Sequence, residues 1–437
     1  MPEKRRIRFS SRFPPFGLDS TSFLAYLSPL ASGVQNERHG DSQLSQASTG
    51  ERLRRGVERT AIAGTLRIAF LMDNMKFSGG RKLLVEYAQF LRHLGHQVNI
   101  FARDLRGPLR ELAQPSVISD SAKYEIPQVD LVVASDLKAV QSALSIRAGK
   151  VIHFCQGFQA VELEQRLRDW KPPPRFRITE LSQKWRLYQK RFAWKRRIRR
   201  LDRIYRSPTH LIVVSHHLKA ILERRYGKPV QVCRNGVHRE LFFPQRDVTM
   251  EPFSQRCPCR VICVGPYEVG TKGIPETFEA IRLAKSARLP VHFIRVSPQP
   301  LHPAEKSSGL VDEFHQNLSQ QQLGEVFRSC NVYVSNSREG EGFGLPAMEA
   351  LSCGLICLLS EIPCYRGFAN RTDFCVFVPQ CAPPETATAL DQLMSAPPSL
   401  RANLRRNGLE VAGEYGFDQT CERFASALER IAAAPVR

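Results

Sequence analysis

The sequence predicts an α/β protein built from two Rossmann-like domains, and three observations lead to this fold class. A buried strand followed by a glycine turn and a helix occurs early in the chain, at residues 66–91. The same order returns in the second half, at residues 332–354. The chain has 437 residues and is 42% hydrophobic, which is enough for two ordinary domains with sizeable cores.

The first half opens with a nearly continuous apolar strand, LRIAFLM, at residues 66–72. Gly79 and Gly80 follow it, and apolar residues at helical spacing then predict a helix. The next strand is predicted at residues 98–101. Open α/β sheets bind ligands at the carboxyl ends of their strands, so the two glycines are candidate ligand-binding positions.

Further apolar runs predict the remaining strands of this half, at residues 130–134, 151–154, 211–215 and 230–232. His153 lies inside one of these runs, and we interpret it as a core histidine. We expect the first domain to span residues 65–244, with a linker at residues 245–259 that contains Pro, Ser and Arg.

In the second half, apolar strands are predicted at residues 261–265, 291–296 and 332–334, and Lys272-Gly273 follows the first of them. After the last strand comes a loop with Gly340, Gly342 and Gly344, and then a helix that begins near Pro346. Glycines allow close backbone approach and a helix start presents free N–H groups, so this loop is suited to hold an anion such as a phosphate.

Two carboxylates are set into this anion site, Glu341 in the loop and Glu349 in the helix. A glutamate near a helix N-terminus also compensates the helix dipole, so a structural explanation exists for Glu349. Glu341 has no such explanation, because a carboxylate among the glycines competes with a bound anion. We interpret the pair as functional.

The segment EGFGLPAMEALSCG, residues 341–354, closely resembles the donor-site signature of the retaining glycosyltransferases of family four, which have the GT-B fold. The resemblance implies two Rossmann-like domains that face each other across a cleft, with the donor on the second and the acceptor on the first. It implies that Glu341 lies beside the transferred sugar and that Glu349 binds the ribose. The backbone amides implied to hold the sugar or diphosphate belong to Gly342, Phe343, Gly344 and Leu345.

The resemblance extends to other positions of the chain. It implies that Gly79 and Gly80 approach the donor diphosphate and that Lys272 grips it. A second cation of the family is absent, because Pro266 stands at the position of its arginine, and Arg338 or Arg81 is the candidate substitute. Ser135-Asp136 stands where many relatives have a histidine; Asp136 and Gln156 are the expected acceptor-side residues.

The resemblance also gives the remaining domain boundaries. The donor domain is expected at residues 258–413, and a helix at residues 414–437 is expected to return to the first domain. Residues 1–64 are rich in Ser, Gln, Arg, Pro and Gly, and we expect a poorly ordered leader without a signal peptide.

A strongly basic insert at residues 164–206 carries much of the net charge of +21. It contains sixteen Lys or Arg against four Asp or Glu, with aromatic residues between them. Three interpretations of residues 170–206 are open: a solvated helix packed on the domain, a helix on an anionic membrane surface, or a nucleic-acid-binding segment. Because no recognised nucleic-acid module accompanies the charge, we predict no nucleic-acid partner.

These features predict an enzyme that transfers a hexosyl unit from a nucleoside diphosphate sugar to an acceptor hydroxyl, in polysaccharide or glycolipid synthesis. The nucleotide sugar is a co-substrate, and neither a metal nor another cofactor is expected. The alternatives are an epimerase or hydrolase on the same fold, or a non-catalytic relative that binds sugar nucleotides or membranes. With scattered cysteines and no apolar run of eighteen residues, we expect a cytoplasmic protein. If residues 170–206 form a membrane-surface helix, we expect it to lie peripherally on the inner face of the membrane.

Overall fold

The computed structural model describes residues 64–76, 78–107, 109–113, 127–168, 170, 181–207, 209–245 and 252–435. The predicted leader lies outside these residues, apart from Gly64, and so does the stretch 171–180 of the basic insert. The elements described below all belong to one compact unit, residues 59–437.

The first half forms a parallel six-stranded sheet in the order β2-β1-β3-β4-β5-β6. Its strands are β1 (Arg67–Asn74), β2 (Gln97–Asp104), β3 (Leu131–Ala134), β4 (Lys150–Cys155), β5 (His210–Val213) and β6 (Val230–Val232). Its helices are α1 (Gly79–His93), α2 (Leu109–Leu112), α3 (Leu137–Ile146), α4 (Gln159–Arg168), α5 (Leu181–Arg206) and α6 (His216–Tyr226).

The second half forms another parallel six-stranded sheet, in the order β12-β11-β10-β7-β8-β9. Its strands are β7 (Cys259–Val264), β8 (Val291–Ser297), β9 (Glu313–Gln316), β10 (Val332–Ser335), β11 (Ile356–Ser360) and β12 (Val376–Val378). Its helices are α7 (Ile274–Ser286), α8 (Pro303–Ser308), α9 (Gln320–Arg328), α10 (Leu345–Ser352), α11 (Pro363–Arg366), α12 (Pro383–Ser395), α13 (Pro398–Gly413) and α14 (Phe417–Ala433).

The strands are apolar along their length because helices cover both faces of each sheet. Every residue of β3, β10 and β11 is buried. The structure thus confirms the α/β class with two doubly wound parallel sheets.

The strand orders fix where ligands bind. In the first sheet the order reverses between β1 and β3, and in the second between β7 and β10. Open α/β sheets bind ligands at the carboxyl ends of strands at such switch points. Asp136, Lys272 and the glycines around Glu341 lie in the segments that follow three of these strands. Gly79 and Gly80, which the sequence predicted in a turn before the helix, instead begin helix α1 after β1, the fourth of these strands, with Ser78 as its N-cap.

Helix α14 lies against the first sheet, although it follows the second sheet in the chain. Its Phe424 is fully buried, and the Phe424 ring stacks on that of Tyr87 in α1 with 4.4 Å between centroids. At the C-terminal end of α14, the Lys150 ammonium donates to the carbonyl of Ala432 over 2.6 Å. The chain therefore crosses between the two halves a second time before α14.

Candidate active site

The glycine-rich loop after β10 has a conformation that its glycines make possible. Gly344 has φ of 82°, and a Cβ at this position would lie 2.4 Å from the Tyr365 ring. The Tyr365 hydroxyl is hydrogen-bonded to Ser335 at the end of β10, over 2.9 Å. The loop is therefore packed closely on α11, and α10 begins directly behind it with Pro346 in its first turn.

Glu341 and Lys272 meet at this loop. Lys272 Nζ donates to Glu341 Oε2 over 2.8 Å, and the Gly344 amide donates to Glu341 Oε1 over 3.2 Å. Lys272 follows β7 in a short 3-10 turn that ends at Gly273, where a Cβ would lie 1.8 Å from the Asn336 carbonyl oxygen. The sequence-predicted cation and carboxylate are thus held together by two loops from adjacent strands.

Gln156 contacts the start of α1, the loop after β3 and the glycine-rich loop, where the two halves meet. Its Nε2 donates to the Gly80 carbonyl over 2.9 Å and to Ser135 Oγ over 3.3 Å. A Cβ on Gly342, in the other half, would lie 1.8 Å from the Gln156 carbonyl oxygen. The loop after β4 therefore touches both the N-terminal end of α1 and the glycine-rich loop.

Glu349 is buried in α10, with 7% of its surface exposed. Burial raises the pKa of its carboxyl to about 7, although the positive charges of Lys82, Lys272 and His238 oppose this shift. Lys82 is in the first turn of α1, which begins with Gly79 and Gly80. Glu349 thus lies within electrostatic reach of basic groups from both halves.

A polar cluster that the sequence did not reveal lies within electrostatic range of Glu349. Lys82 is ion-paired with Glu86 over 2.5 Å, and His238 Nε2 lies 3.1 Å from the same Glu86 carboxyl. Glu86 is itself buried, which raises its pKa, but the hydrogen bond with His238 and the charge of Lys82 outweigh burial and leave the pKa below its ordinary value. The only sequence signal was the i,i+4 spacing of Lys82 and Glu86.

His238 connects this cluster to the second crossing of the chain. Its ring stacks on Phe417 with 3.8 Å between centroids, and its Nδ1 lies 2.8 Å from Glu240. Burial lowers the pKa of His238, but the hydrogen bond and the charge of Glu86 outweigh burial and raise it overall. Glu86 and His238 therefore favour each other's charged forms.

Asp136 is occupied by structural hydrogen bonds. One carboxylate oxygen caps α3 by accepting from the Ala139 amide over 2.9 Å, and the other accepts from the Asp73 amide over 2.9 Å. It joins the loops after β1 and β3, which are adjacent at the switch point.

The two candidate substitutes for the absent arginine make other contacts. Arg338 is ion-paired with Glu276, and Arg81 donates to the Lys76 carbonyl over 3.1 Å. The loop that carries Pro266 is held by a buried arginine. Arg295 is fully buried, donates to the carbonyl of Gly265 and is ion-paired with Glu305 over 2.7 Å.

Comparison with known proteins gives the same picture for both halves. The model of Glycosyltransferase Family 4 matches residues 77–241, and that of Glycosyl transferases group 1 matches residues 312–411. Sucrose-phosphate synthase from Thermosynechococcus elongatus superposes with a TM-score of 0.61 and 17% identity, over 85% of this chain and all of that chain. Anabaena HepE in complex with UDP-glucose superposes with a TM-score of 0.61 and 14% identity, over 84% of this chain and all of that chain.

Two curated relatives are mannosyltransferases. The GDP-mannose:cellobiosyl-diphosphopolyprenol alpha-mannosyltransferase of Xanthomonas campestris is 31% identical over 152 residues, which are 33% of this chain and 37% of the relative. The MMP alpha-(1->4)-mannosyltransferase of Mycolicibacterium hassiacum is 27% identical over 208 residues, which are 45% of this chain and 48% of the relative. Each match thus spans less than half the length of the relative.

The fold and the switch-point loops define the class: this is a protein with the GT-B fold of glycosyltransferases. Because family models match in both halves, the chain belongs to the family-four glycosyltransferases. No helix within the part of the chain that the structure describes is long and apolar enough to cross a bilayer.

Proposed function

We propose that this protein transfers a hexosyl unit from a nucleoside diphosphate sugar to an acceptor hydroxyl and keeps the anomeric configuration. One observation carries the proposal above the others. The Lys272 ammonium and the Gly344 amide both donate to Glu341 at the switch point of the second sheet, directly before the start of α10. A cation and backbone amides can bind the phosphate of a sugar phosphate ester, and a carboxylate beside them can accept hydrogen bonds from the sugar hydroxyls.

The phosphate side of this site is electrostatic. When the bond between the anomeric carbon and the diphosphate breaks, negative charge develops on the leaving oxygen. Lys272, the loop amides and the N-terminal end of α10 would stabilise that charge without needing to reorganise, in the manner of an oxyanion hole. We expect Lys272 to divide its hydrogen bonds between the diphosphate and Glu341.

Glu341 would orient the sugar. Its carboxylate is tied to Lys272 and to the Gly344 amide, so it is better suited to accept hydrogen bonds from sugar hydroxyls than to attack the anomeric carbon. The acceptor hydroxyl would then enter on the face that the diphosphate leaves, which keeps the configuration. Glu349, which lies in α10 behind the loop, would accept hydrogen bonds from the ribose.

The relatives suggest which substrates to test first. One is named for GDP-mannose and a diphosphopolyprenol-linked saccharide, and the other is also a mannosyltransferase. We therefore expect a mannosyl donor and a lipid-linked acceptor at the cytoplasmic face of a membrane. The basic segment 170–206 is the part of the chain that we expect to meet this membrane. Because no Asp-x-Asp motif is available for a metal, we expect turnover to persist with a chelator present.

The deciding experiment is product analysis with the full-length protein. It would be incubated with GDP-mannose, and in parallel with UDP-, ADP- and dTDP-sugars, together with a polyprenyl diphosphate-linked saccharide. A glycosylated lipid, with the donor's anomeric configuration by NMR, is the expected product. The matched control is Glu341→Gln, which keeps the size of the side chain and removes its charge.

Each alternative function gives a different result in the same assay. Free sugar without a glycosylated product would indicate a hydrolase, and a changed sugar on the nucleotide an epimerase. Tight nucleotide binding without any turnover, over all donors, would indicate a non-catalytic relative. Pro266 in place of the arginine motivates this last comparison, whereas retention of both Glu341 and Glu349 favours the transferase.

A further inference from the structure

Helix α5 (Leu181–Arg206) has one end anchored in the first domain. Leu201 and Tyr205 are buried, with 1% and 2% of their surfaces exposed. Asp202 is ion-paired with Arg225 of α6 over 3.0 Å and accepts a hydrogen bond from the Tyr226 hydroxyl over 2.7 Å. The C-terminal third of the helix is therefore fixed in position.

The rest of the helix carries large apolar side chains into solvent. Every residue from Trp185 to Lys190 is exposed, and Trp185 and Phe192 are 66% and 65% exposed. Of the six exposed large hydrophobic residues in the described part of the chain, four are on this helix. Apolar residues exposed singly need no explanation, but a concentration on one element marks an interaction surface.

These aromatic residues form a stripe with a basic continuation. Trp185, Tyr188 and Phe192 are three and four positions apart and share one face of the helix. The same spacing continues through three exposed arginines, Arg196, Arg199 and Arg203. We call these six residues the α5 stripe.

The α5 stripe faces away from the core of the first domain. Leu201 and Tyr205, which pack on the domain, lie roughly on the opposite side of the helix, given its 100° turn per residue. Near the N-terminal end, the Trp170 ring lies 5.4 Å from that of Tyr188, and the Arg191 guanidinium lies 4.4 Å above Trp170. The stripe thus begins in an aromatic and cationic patch and continues as a row of arginines.

We infer that the α5 stripe binds the surface of an anionic lipid bilayer, with α5 parallel to the membrane plane. The charge of the helix is complementary to such a surface, because it contains eleven Lys or Arg and one Asp. Trp, Tyr and Phe lie favourably at the level of the lipid headgroups, where their rings leave water. A bilayer accounts for both halves of the stripe, whereas the phosphates of a nucleic acid account mainly for the arginines.

The C-terminal end of α5 connects this surface to the acceptor side of the cleft. The Tyr205 hydroxyl lies 3.1 Å from Cys155 Sγ at the end of β4, and the Tyr205 ring packs on Phe158 with 5.2 Å between centroids. Gln156, which touches both halves, stands between these two residues in the chain. Bilayer docking would thus hold the acceptor loop near the membrane; this part of the inference rests on the proposed lipid-linked acceptor.

The test is sedimentation of the full-length protein with phosphatidylcholine vesicles, with and without phosphatidylglycerol. We expect binding to the anionic vesicles alone, and its loss near about 1 M salt, where charges are screened beyond about 3 Å. The variant Arg196→Gln/Arg199→Gln/Arg203→Gln should bind roughly a hundredfold more weakly. A matched control, Arg224→Gln/Arg256→Gln/Arg406→Gln, removes the same charge from exposed positions outside α5 and should bind as the parent does.

The aromatic half of the stripe is tested separately by Trp185→Ala/Phe192→Ala. We expect roughly tenfold weaker binding at unchanged charge, which attraction between charges alone would not produce. Equal pelleting with neutral vesicles, no pelleting with anionic ones, or an unchanged aromatic variant would overturn the inference. So would tighter binding of single-stranded RNA that the same variants abolish.

The failure of this inference can be told from failure of the proposed function. Both stripe variants leave the donor site intact, so their affinity for nucleoside diphosphates should equal that of the parent. A parent that binds vesicles but forms no glycosylated product would refute the transfer reaction and leave the lipid surface standing. Product formation without vesicle binding would do the reverse.

Discussion

Glu349 is a carboxyl group in a dry environment that favours its protonated form. Its pKa is raised from 4.5 to about 7 by burial. Between these values a rise in pH removes the proton from the unfolded chain before it removes it from the folded one, so stability falls as pH rises. Above about pH 7 the folded protein bears the whole cost, about 3 kcal/mol, for keeping a buried carboxylate.

We therefore predict that Glu349→Gln stabilises the ligand-free protein near about pH 8 and has little effect near about pH 4, where both forms of the residue are neutral. Urea unfolding at a series of pH values measures the difference in the free energy of unfolding. Glu385→Gln, at an exposed position of α12, is the control. A stability difference that does not change with pH would show that folding does not shift the pKa of Glu349.

Glu341 differs from Glu349 because it is already paired. In Glu341→Gln, Lys272 loses its carboxylate partner and is left to the diphosphate. We predict that nucleoside diphosphate affinity stays the same or rises, while kcat at saturating donor falls at least about a hundredfold because the reacting sugar is no longer oriented. Calorimetry and initial rates give the two quantities, and wild-type turnover in this variant would contradict the assigned role.

At the scale of elements, the strands and the glycine loops could be predicted because their signals are local. The glycine-rich loop, the start of α10 and the Lys272 turn each occupy a few consecutive residues. The cluster of Lys82, Glu86 and His238 could not be predicted, because Glu86 and His238 are 152 residues apart and meet only through the fold. The hydrogen bonds that occupy Asp136 were hidden for the same reason, since Asp73 lies on another strand.

The approach of the glycine-rich loop to the loop after β4 depends on the absence of a side chain. A Cβ on Gly342 would lie 1.8 Å from the Gln156 carbonyl oxygen, and backbone atoms cannot move aside cheaply. We predict that Gly342→Ala separates the two loops and reduces kcat/KM at least about tenfold, while the protein remains folded.

Gly413→Ala is the control for this change. A Cβ at Gly413 would meet no atom within 4 Å, so the same substitution should leave kcat/KM unchanged. Small-angle scattering of both variants with and without nucleotide reports whether the two halves still close. Full activity of Gly342→Ala would mean that the proposed transfer does not require the two loops to come together.

At the scale of the whole molecule, α14 follows the second sheet in the chain but packs on the first. Phe424 is fully buried against Tyr87, and the Phe154 ring lies 5.4 Å from the Phe424 ring between centroids. We predict that Phe424→Ala lowers the free energy of unfolding by about 3–5 kcal/mol, as expected for removal of a buried ring. Calorimetry should show both halves melting earlier.

Phe243→Ala is the matched control, since this ring is 44% exposed. Its Arg328 cation–π contact makes the expected loss about 1 kcal/mol or less. If Phe424→Ala lowered the melting of the first half alone, the second half would be an independent folding unit.

The chain passes between its halves twice, and the two passes are joined to each other. The Val237 amide donates to the Tyr415 carbonyl over 2.8 Å, and the Phe417 amide donates to the Val237 carbonyl over 3.1 Å. Two domains joined by a single flexible segment can rotate relative to each other about any axis. Two adjacent connecting segments restrict this rotation mainly to one axis. We therefore expect that one angle describes any opening and closing of the two halves, and that a single pair of fluorescent labels, one on each half, follows it.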